Sequence, residues 1–290
     1  MEETSQYVAE GELSSPNKPV KKKPKWWVIV IDAVVVATFL LAIAASAGVI
    51  YFSTAYDKPF FVNGMSMYPT LNRNAISSKG TRLYWRSGEN SVGDTVEYGY
   101  AKTNYGTLKR NDIVLTYYDS DYRHNDDGSL MRDAEGKLIL DTTGYRTPKT
   151  KIKRIVGLPG ETVQFVSVTE DAELYNRAWG KTTINPGTPE EQILKPLYTM
   201  ADYVSPTGED YDYPKRSFAP CTLGEKQYYV IGDNRNPSFS SDSRVNGPIL
   251  EEMIVAKACI IVGMRKLTGQ AATANPWEFI FTPWNFRSIE

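Results

Sequence analysis

The feature that most constrains this chain is an apolar run over residues 26–52. Only Asp32, Thr38 and Ser46 are clearly polar within its 27 residues. A helix needs about 20 consecutive apolar residues to cross the hydrocarbon core of a bilayer, and residues 33–52 supply that number. An ionised aspartate at the bilayer centre costs about 3 kcal/mol, so we place Asp32 near a membrane face. The run therefore predicts a transmembrane anchor.

The segment before this run indicates how the anchor is oriented. Residues 1–25 are polar, lack hydrophobic periodicity and end in a cluster of lysines, which is typical of a disordered basic tail. Because such charges remain on the cytoplasmic side, the pattern predicts a single-pass protein of the cell membrane with an extracellular domain. A cleaved secretory signal is the alternative, since Ala42-Ile43-Ala44 and Ala45-Ser46-Ala47 resemble cleavage sites.

Charge and residue counts exclude several classes of function. The net charge is −1 and the pI is about 6.0, so the overall charge does not favour binding to nucleic acid. Two distant cysteines and one histidine make no plausible zinc set, and we expect no cofactor or metal. Cys259 lies in an apolar run, which favours a buried thiol over a disulfide with Cys221. His124 lies in a polar loop, which disfavours a Ser-His-Asp triad and makes lysine the leading base.

The rest of the chain has the composition of a mainly β domain. Tyrosine and valine are abundant, and turn residues recur at short intervals. Residues 119–150 resemble an exposed hairpin or loop, and an aromatic segment at 276–286 fits either a final strand or the membrane interface. Strands are predicted at residues 113–117, 151–157, 228–232 and 253–262.

A candidate nucleophile follows the apolar run closely. Ser66 lies between Gly64, which allows a tight turn, and Pro69, which stiffens the backbone that precedes it. This constrained and irregular backbone suits a nucleophile, although an ordinary turn serine has the same local pattern.

Lys153 is the candidate base for this serine. It lies in a β-branched strand, on the same face as Ile155 and opposite to Arg154. A lysine that accepts protons near pH 7 needs its pKa lowered by about 3 units, which requires burial or nearby positive charge. Lys151 shares the face but begins the strand, where solvent is expected. A half-exposed strand lysine is the alternative interpretation of Lys153.

Residues 232–244 form a polar loop directly after an apolar strand. This loop offers hydroxyls to orient a lysine amine and Asp–Arg pairs to stabilise itself. Together with the two candidate stretches, it resembles the bacterial type I signal peptidases, which are membrane-anchored serine proteases with a Ser/Lys dyad. The matching motifs occur in the family's order: Gly64-x-Ser66-Met67-x-Pro69-Thr70-Leu71, Asp112-Ile113-Val114, Lys153-Arg154-x-Val156-Gly157-Leu158-Pro159-Gly160, and Gly232-Asp233-Asn234-Arg235 with Asp242-Ser243-Arg244.

The resemblance implies a fold and a reaction. The fold is a mainly β signal-peptidase-like catalytic core with an inserted cap subdomain, after one transmembrane helix as in many Gram-positive members. The implied substrates are exported preproteins, which are cut after a small residue. The lipid bilayer that holds the anchor is the other implied partner, and the oligomeric state stays open. The implied segments are a tail (1–25), an anchor (26–52), a core in two parts (53–161 and 226–267), a cap (162–225) and an aromatic tail (268–290).

The resemblance also implies roles for individual residues. Ser66 is the implied nucleophile and Lys153 the general base, while the substrate pockets map to Phe60, Val62, Met67, Leu71 and Ile152. The bracing residues are Arg154 with Asp233, Asp242 with Arg244, and Arg235 beside them.

Several positions depart from the family's pattern. Gly64 stands where many members carry a serine that helps to bind the oxyanion, so the Ser66 backbone N–H must do more of this work. The last motif is two residues longer than usual, so either Ser238 or Ser240 could orient the lysine, and we favour Ser240. Asn111 replaces a usual glycine and Glu161 a usual aspartate, which we expect to be tolerated.

Two other functions remain open at this point. One is a non-catalytic relative that assists the assembly of surface proteins, but such relatives lack the serine or the lysine. The other is a self-cleaving regulator with the same dyad, which would normally carry a DNA-binding segment that residues 1–57 do not resemble.

Overall fold

The computed structural model describes residues 25–80, 91–143, 148–166, 181–194, 218–235, 241–267, 279–280 and 287–289. The chain divides into two compact units, residues 1–52 and 53–290.

The apolar run forms one long helix, α1, over Trp26–Ala55. Its stretch Trp26–Gly48 is long and apolar enough to cross a membrane, since 23 residues rising 1.5 Å each span about 35 Å. The side chains of this stretch are exposed around the helix, as expected where lipid replaces water. Thr38 and Ser46 each donate a hydroxyl hydrogen bond to the carbonyl four residues earlier, which satisfies these polar groups in an apolar surrounding.

The second unit is mainly β, as predicted. Its strands within the described residues are β1 Lys58–Phe61, β2 Thr95–Lys102, β3 Ile113–Thr116, β4 Lys151–Gly157, β5 Thr162–Val166, β6 Lys181–Ile184, β7 Gln192–Leu194, β8 Cys221–Thr222, β9 Gln227–Ile231, β10 Ile249–Leu250, β11 Ile254–Lys266, β12 Phe279–Ile280 and β13 Arg287–Ser288. Among the described residues, seven of these strands form the main sheet in the order β1-β2-β11-β3-β4-β9-β10, and β12 and β13 also pair with β11. A separate four-stranded sheet has the order β7-β6-β5-β8 and lies within residues 162–222.

The short helices lie in the connections. Within the described stretches they are two 3₁₀ turns at Asp119–Asp121 and Glu251–Met253, and a one-turn helix, α2, at Ser243–Asn246. The hairpin predicted within residues 119–150 is present as a narrow ribbon, whose isolated bridges join Tyr122 to Leu140 and His124 to Leu130.

The long strand β11 organises the main sheet. Its first residues pair with β3 and the remainder pairs with β2, while β13 and β12 pair with its carboxyl-terminal half. The strand extends to Lys266, beyond its predicted end at residue 262, because these partners supply hydrogen bonds along polar as well as apolar residues. The thiol of Cys259 is buried on this strand, as predicted.

Strand β4 lies between β3 and β9 in the sheet. In this register Lys153 is opposite Val114, and Arg154 is opposite both Ile113 and Ile231. Both basic residues therefore lie in the interior of the sheet, next to the loop that follows β9.

Candidate active site

Ser66 and Lys153 are in direct contact. Lys153 Nζ donates a hydrogen bond to Ser66 Oγ at 2.9 Å and another to the carbonyl of Ile152 at 3.0 Å. Lys153 is 3% exposed, while Ser66 is partly exposed. The fold thus brings together two side chains that are 87 residues apart, and it buries the lysine while leaving the serine partly exposed.

Burial changes the acid–base behaviour of this amine. Loss of hydration lowers the pKa of Lys153 from 10.5 to about 8, because the charged ammonium is disfavoured away from water. The negative charge of Asp242 opposes this effect, whereas Lys151 and Arg244 add to it. A neutral amine beside a serine hydroxyl is the arrangement that general-base catalysis requires.

Ser66 lies on an irregular stretch between β1 and β2, residues 62–72, which we call the Ser66 segment. Gly64 adopts a φ of 111°, a conformation that side-chain-bearing residues rarely adopt, and the Tyr68–Pro69 peptide is cis. This explains the glycine and the proline that flank the serine in the sequence.

Asn234 connects the Ser66 segment to the loop after β9. Its backbone N–H donates to the carbonyl of Ser66 at 2.9 Å, and its side-chain amide donates to the carbonyl of Met65 at 3.2 Å. Asn234 is fully buried. Sequence reasoning did not single out this residue, although it lies inside the Gly232-Asp233-Asn234-Arg235 motif.

Arg154 and Asp233 form a buried two-pronged ion pair. Arg154 Nε and Nη2 donate to the two carboxylate oxygens of Asp233 at 2.8 and 2.7 Å. The Thr70 hydroxyl, at the end of the serine motif, donates to the same carboxylate. Arg154 Nη1 also donates to the carbonyl of Asn111 at 2.6 Å. Asn111 has a φ of 75°, which asparagine tolerates better than most residues and which accounts for its place at a usual glycine position.

Asp242 and Arg244 form a second buried pair that shapes the end of the same loop. Arg244 donates from Nε and Nη2 to the two oxygens of Asp242 at 2.9 and 2.8 Å. Asp242 also accepts the N–H of Gly232 at 3.0 Å, and Arg244 Nη1 donates to the carbonyl of Arg235 at 2.5 Å. These bonds hold the two ends of the loop together. Ser238 and Ser240 lie outside the described residues.

The five residues predicted to bind substrate belong to one apolar cluster. Phe60, Val62, Met67 and Leu71 are buried in it, and Ile152 packs against it from the strand position next to Lys153. Ile152 alone among the five is partly exposed.

His124 is placed in a different environment from Ser66. Its Nε2 lies 2.9 Å from Asp119 Oδ2 on the ribbon that follows β3. Within the described parts of the chain, no group of three or more His, Cys, Asp or Glu side chains is arranged to hold a metal ion.

Comparison with known proteins places this chain in a family. The model of the signal peptidase family, peptidase S26, matches residues 31–263. The chain belongs to this family. It is therefore a serine endopeptidase, a hydrolase, of the signal peptidase I type that acts in signal-peptide processing. This result favours an enzyme over a non-catalytic assembly factor.

Two curated relatives from Bacillus subtilis agree with this placement. The chain is 28% identical to signal peptidase I T of Bacillus subtilis over 250 residues, which cover 86% of this chain and 91% of that protein. It is 36% identical to signal peptidase I V of the same organism over 108 residues, 37% of this chain and 54% of that protein. A crystal structure of a signal peptidase I from Enterococcus faecalis matches 52% of this chain and 96% of that chain, at 22% identity and a TM-score of 0.30. Family membership and the apolar helix α1 together indicate membrane anchoring.

Proposed function

We propose that this signal peptidase removes the signal peptides of exported preproteins by a Ser/Lys dyad, with Ser66 as nucleophile and Lys153 as general base. The observation that carries the proposal is the 2.9 Å contact between a buried lysine amine and a partly exposed serine hydroxyl. The lowered pKa of Lys153 supports it, because a neutral amine can accept the hydroxyl proton near pH 8.

The dyad carries out acyl transfer in two stages. The Ser66 proton passes to Lys153 while Oγ bonds to the scissile carbonyl carbon, which leaves an oxyanion on the carbonyl oxygen. The C–N bond then breaks, and the Lys153 ammonium gives its proton to the departing amine. Lys153 next takes a proton from water as the water oxygen bonds to the ester carbon. The bond between that carbon and Ser66 Oγ then breaks, Lys153 gives its proton to Oγ, and the signal peptide leaves as a carboxylic acid.

The oxyanion needs hydrogen-bond donors in the Ser66 segment. The Ser66 N–H finds no acceptor among the residues that the structure describes, so it is available for this role. Gly64 lacks the hydroxyl that many relatives have there, which places more of the stabilisation on this backbone group.

The apolar cluster supports cleavage after small residues. Its members Phe60, Val62, Met67 and Leu71 are buried, and only Ile152 presents partial exposure next to the base. In this proposal an alanine side chain packs against the cluster beside Ile152, whereas a large side chain would have to displace buried core residues.

The proposal is tested by incubating the purified chain, in detergent, with a signal-bearing preprotein and sequencing the amino terminus of the product. We expect one cut after an A-x-A-like site, and we expect Ser66→Ala to produce none. Cleavage by Ser66→Ala would assign the nucleophile elsewhere, and cuts after large residues would contradict the pocket assignment.

The pH profile of the wild type follows from the state of Lys153. Below its pKa of about 8 the amine is protonated and cannot act as a base, so kcat/KM should rise about tenfold per pH unit and level off above the pKa. The measurement is initial-rate kinetics between about pH 6 and pH 10. A profile that falls across this range, or that rises only near the pKa of free lysine, would contradict a desolvated base.

We also propose that the amino terminus is cytoplasmic and that the catalytic domain lies outside the cell membrane. The lysines before residue 26 support this orientation. Protease added to intact protoplasts should degrade the domain after residue 53 and spare an epitope tag on the tail. Full protection of the domain would reverse the orientation.

A further inference from the structure

The Ser66 segment is held on its other side by a polar cluster that consists of two buried residues, Asn72 and Glu97, and the partly exposed Arg287. The Asn72 amide donates to the carbonyls of Val62 at 2.7 Å and Gly64 at 2.9 Å. These two bonds fasten the start of the segment to its end. The backbone carbonyls of Val62 and Gly64 therefore depend on the position of one asparagine.

Glu97 of β2 fixes that asparagine by two hydrogen bonds and binds the start of the Ser66 segment by a third. Its Oε2 accepts the Asn72 N–H at 2.7 Å, and its own N–H donates to Asn72 Oδ1 at 2.9 Å. Its carbonyl accepts the N–H of Val62 at 3.0 Å. The side chain of Glu97 is fully buried, and its Oε1 has no hydrogen-bond partner within the described residues. A buried carboxylate in this state needs a compensating charge.

Arg287 supplies this charge from the far end of the chain. One nitrogen, Nη2, donates to Glu97 Oε2 at 2.8 Å and to the carbonyl of Thr70 at 2.8 Å. The arginine is fixed by strand β13, where it is paired with Ile261, and the following Ile289 packs into the apolar cluster that contains Met67 and Leu71. A residue beyond position 263, where the family match ends, thus contacts the Ser66 segment directly.

We propose that Arg287 is a positioning residue for the reaction. It neutralises Glu97 and holds the carbonyl of Thr70, so that Glu97 and Asn72 keep the Ser66 segment in register with Lys153. This inference rests on the proposed role of Ser66. The loop after β9 binds the segment separately, through Asp233 and Asn234, whereas Arg287 acts on the attachment that reaches Gly64.

The test compares Arg287→Met with Arg132→Met. Arg132 also pairs with a glutamate, Glu252, at 2.5 Å, but both side chains are exposed, so it is the matched control. Displacement of the segment should lower the kcat of Arg287→Met about 10- to 100-fold with KM little changed, because a misplacement near 1 Å costs about that much. Arg132→Met should behave as the wild type.

Hydrogen exchange gives a readout that does not depend on cleavage. The amides of Leu71 and Asn72, which bond to the Met67 carbonyl and to Glu97, should exchange at least ~10-fold faster in Arg287→Met. If Ser66→Ala still cleaves, the proposed nucleophile is wrong. Amide exchange at Leu71 and Asn72 still measures whether Arg287 holds the Ser66 segment. If Ser66→Ala is inactive while Arg287→Met matches Arg132→Met in kcat and exchange, this inference is overturned and the proposed function stands.

Comparing Arg287→Lys with Arg287→Met distinguishes the loss of hydrogen bonds from the loss of side-chain volume. Both contacts of Arg287 use a single nitrogen, so Arg287→Lys can in principle make them with its ammonium and should recover most of kcat and protection. Equal loss in the Lys and Met variants overturns the proposal. If Arg287→Met fails to fold, Arg287→Lys is compared instead with Arg287→Gln, whose side chain carries no charge. A higher kcat and slower amide exchange in Arg287→Lys than in Arg287→Gln then support the positioning role, and equal values in the two variants overturn it.

Discussion

Replacing Lys153 by arginine is expected to abolish cleavage while leaving the protein folded. Arginine keeps the positive charge and much of the side-chain volume, yet it stays protonated at any working pH and cannot accept the Ser66 proton. We expect kcat to fall by at least ~10³-fold, as when one member of a catalytic unit is removed. Single-turnover cleavage of a preprotein measures the effect, and thermal unfolding checks that the variant is folded.

Lys151→Arg is the matched control for this change. Lys151 lies in the same strand, is only half-buried, and its amine donates to the carbonyl of Lys149 rather than to the site. Since arginine preserves the charge that acts on Lys153, most activity should remain. If Lys153→Arg instead cleaves at a rate near that of Lys151→Arg, the base is another group, and His124 is the first to test.

Replacing Asp233 by asparagine is expected to have the largest effect on stability. The side chains of Arg154 and Asp233 are 8% and 1% exposed, so the change leaves a buried guanidinium without its counter-charge. Removing one partner of such a pair costs about 3–5 kcal/mol in the free energy of unfolding. The variant also weakens the contact of Asp233 with the Thr70 hydroxyl, so kcat should fall together with stability.

Denaturant unfolding of the solubilised protein measures this loss, with Glu252→Gln as control. Glu252 pairs with Arg132 at 2.5 Å, but both side chains are more than a third exposed, and exposed pairs contribute only about 0–1 kcal/mol. Similar unfolding free energies for the two variants would show that the Arg154–Asp233 pair does not hold the loop after β9.

Features encoded over short stretches were predictable from the sequence. The anchor helix follows from the length and composition of one apolar run, and the mainly β class follows from recurrent β-branched and aromatic residues. Strands at β3, β4, β9 and β11 were predicted within a few residues because each carries recurrent apolar residues, many of them β-branched. The short strands β12 and β13 depend on pairing with β11, and sequence pattern left that segment open between strand and membrane interface.

The motifs placed Ser66 and Lys153 on the list of candidates, because a nucleophile and a base need particular residue types on particular backbones. Their 2.9 Å contact and the lowered pKa of Lys153 depend on the register of β4 between β3 and β9, which buries the amine. Arg287 was not predictable, since it meets Glu97 across 190 residues and no local pattern links them. Composition and periodicity act along the chain and so determined the anchor and the fold class, and the motifs supplied the candidate dyad. Distances, desolvation and the pairing of buried charges arise only when the strands pack together.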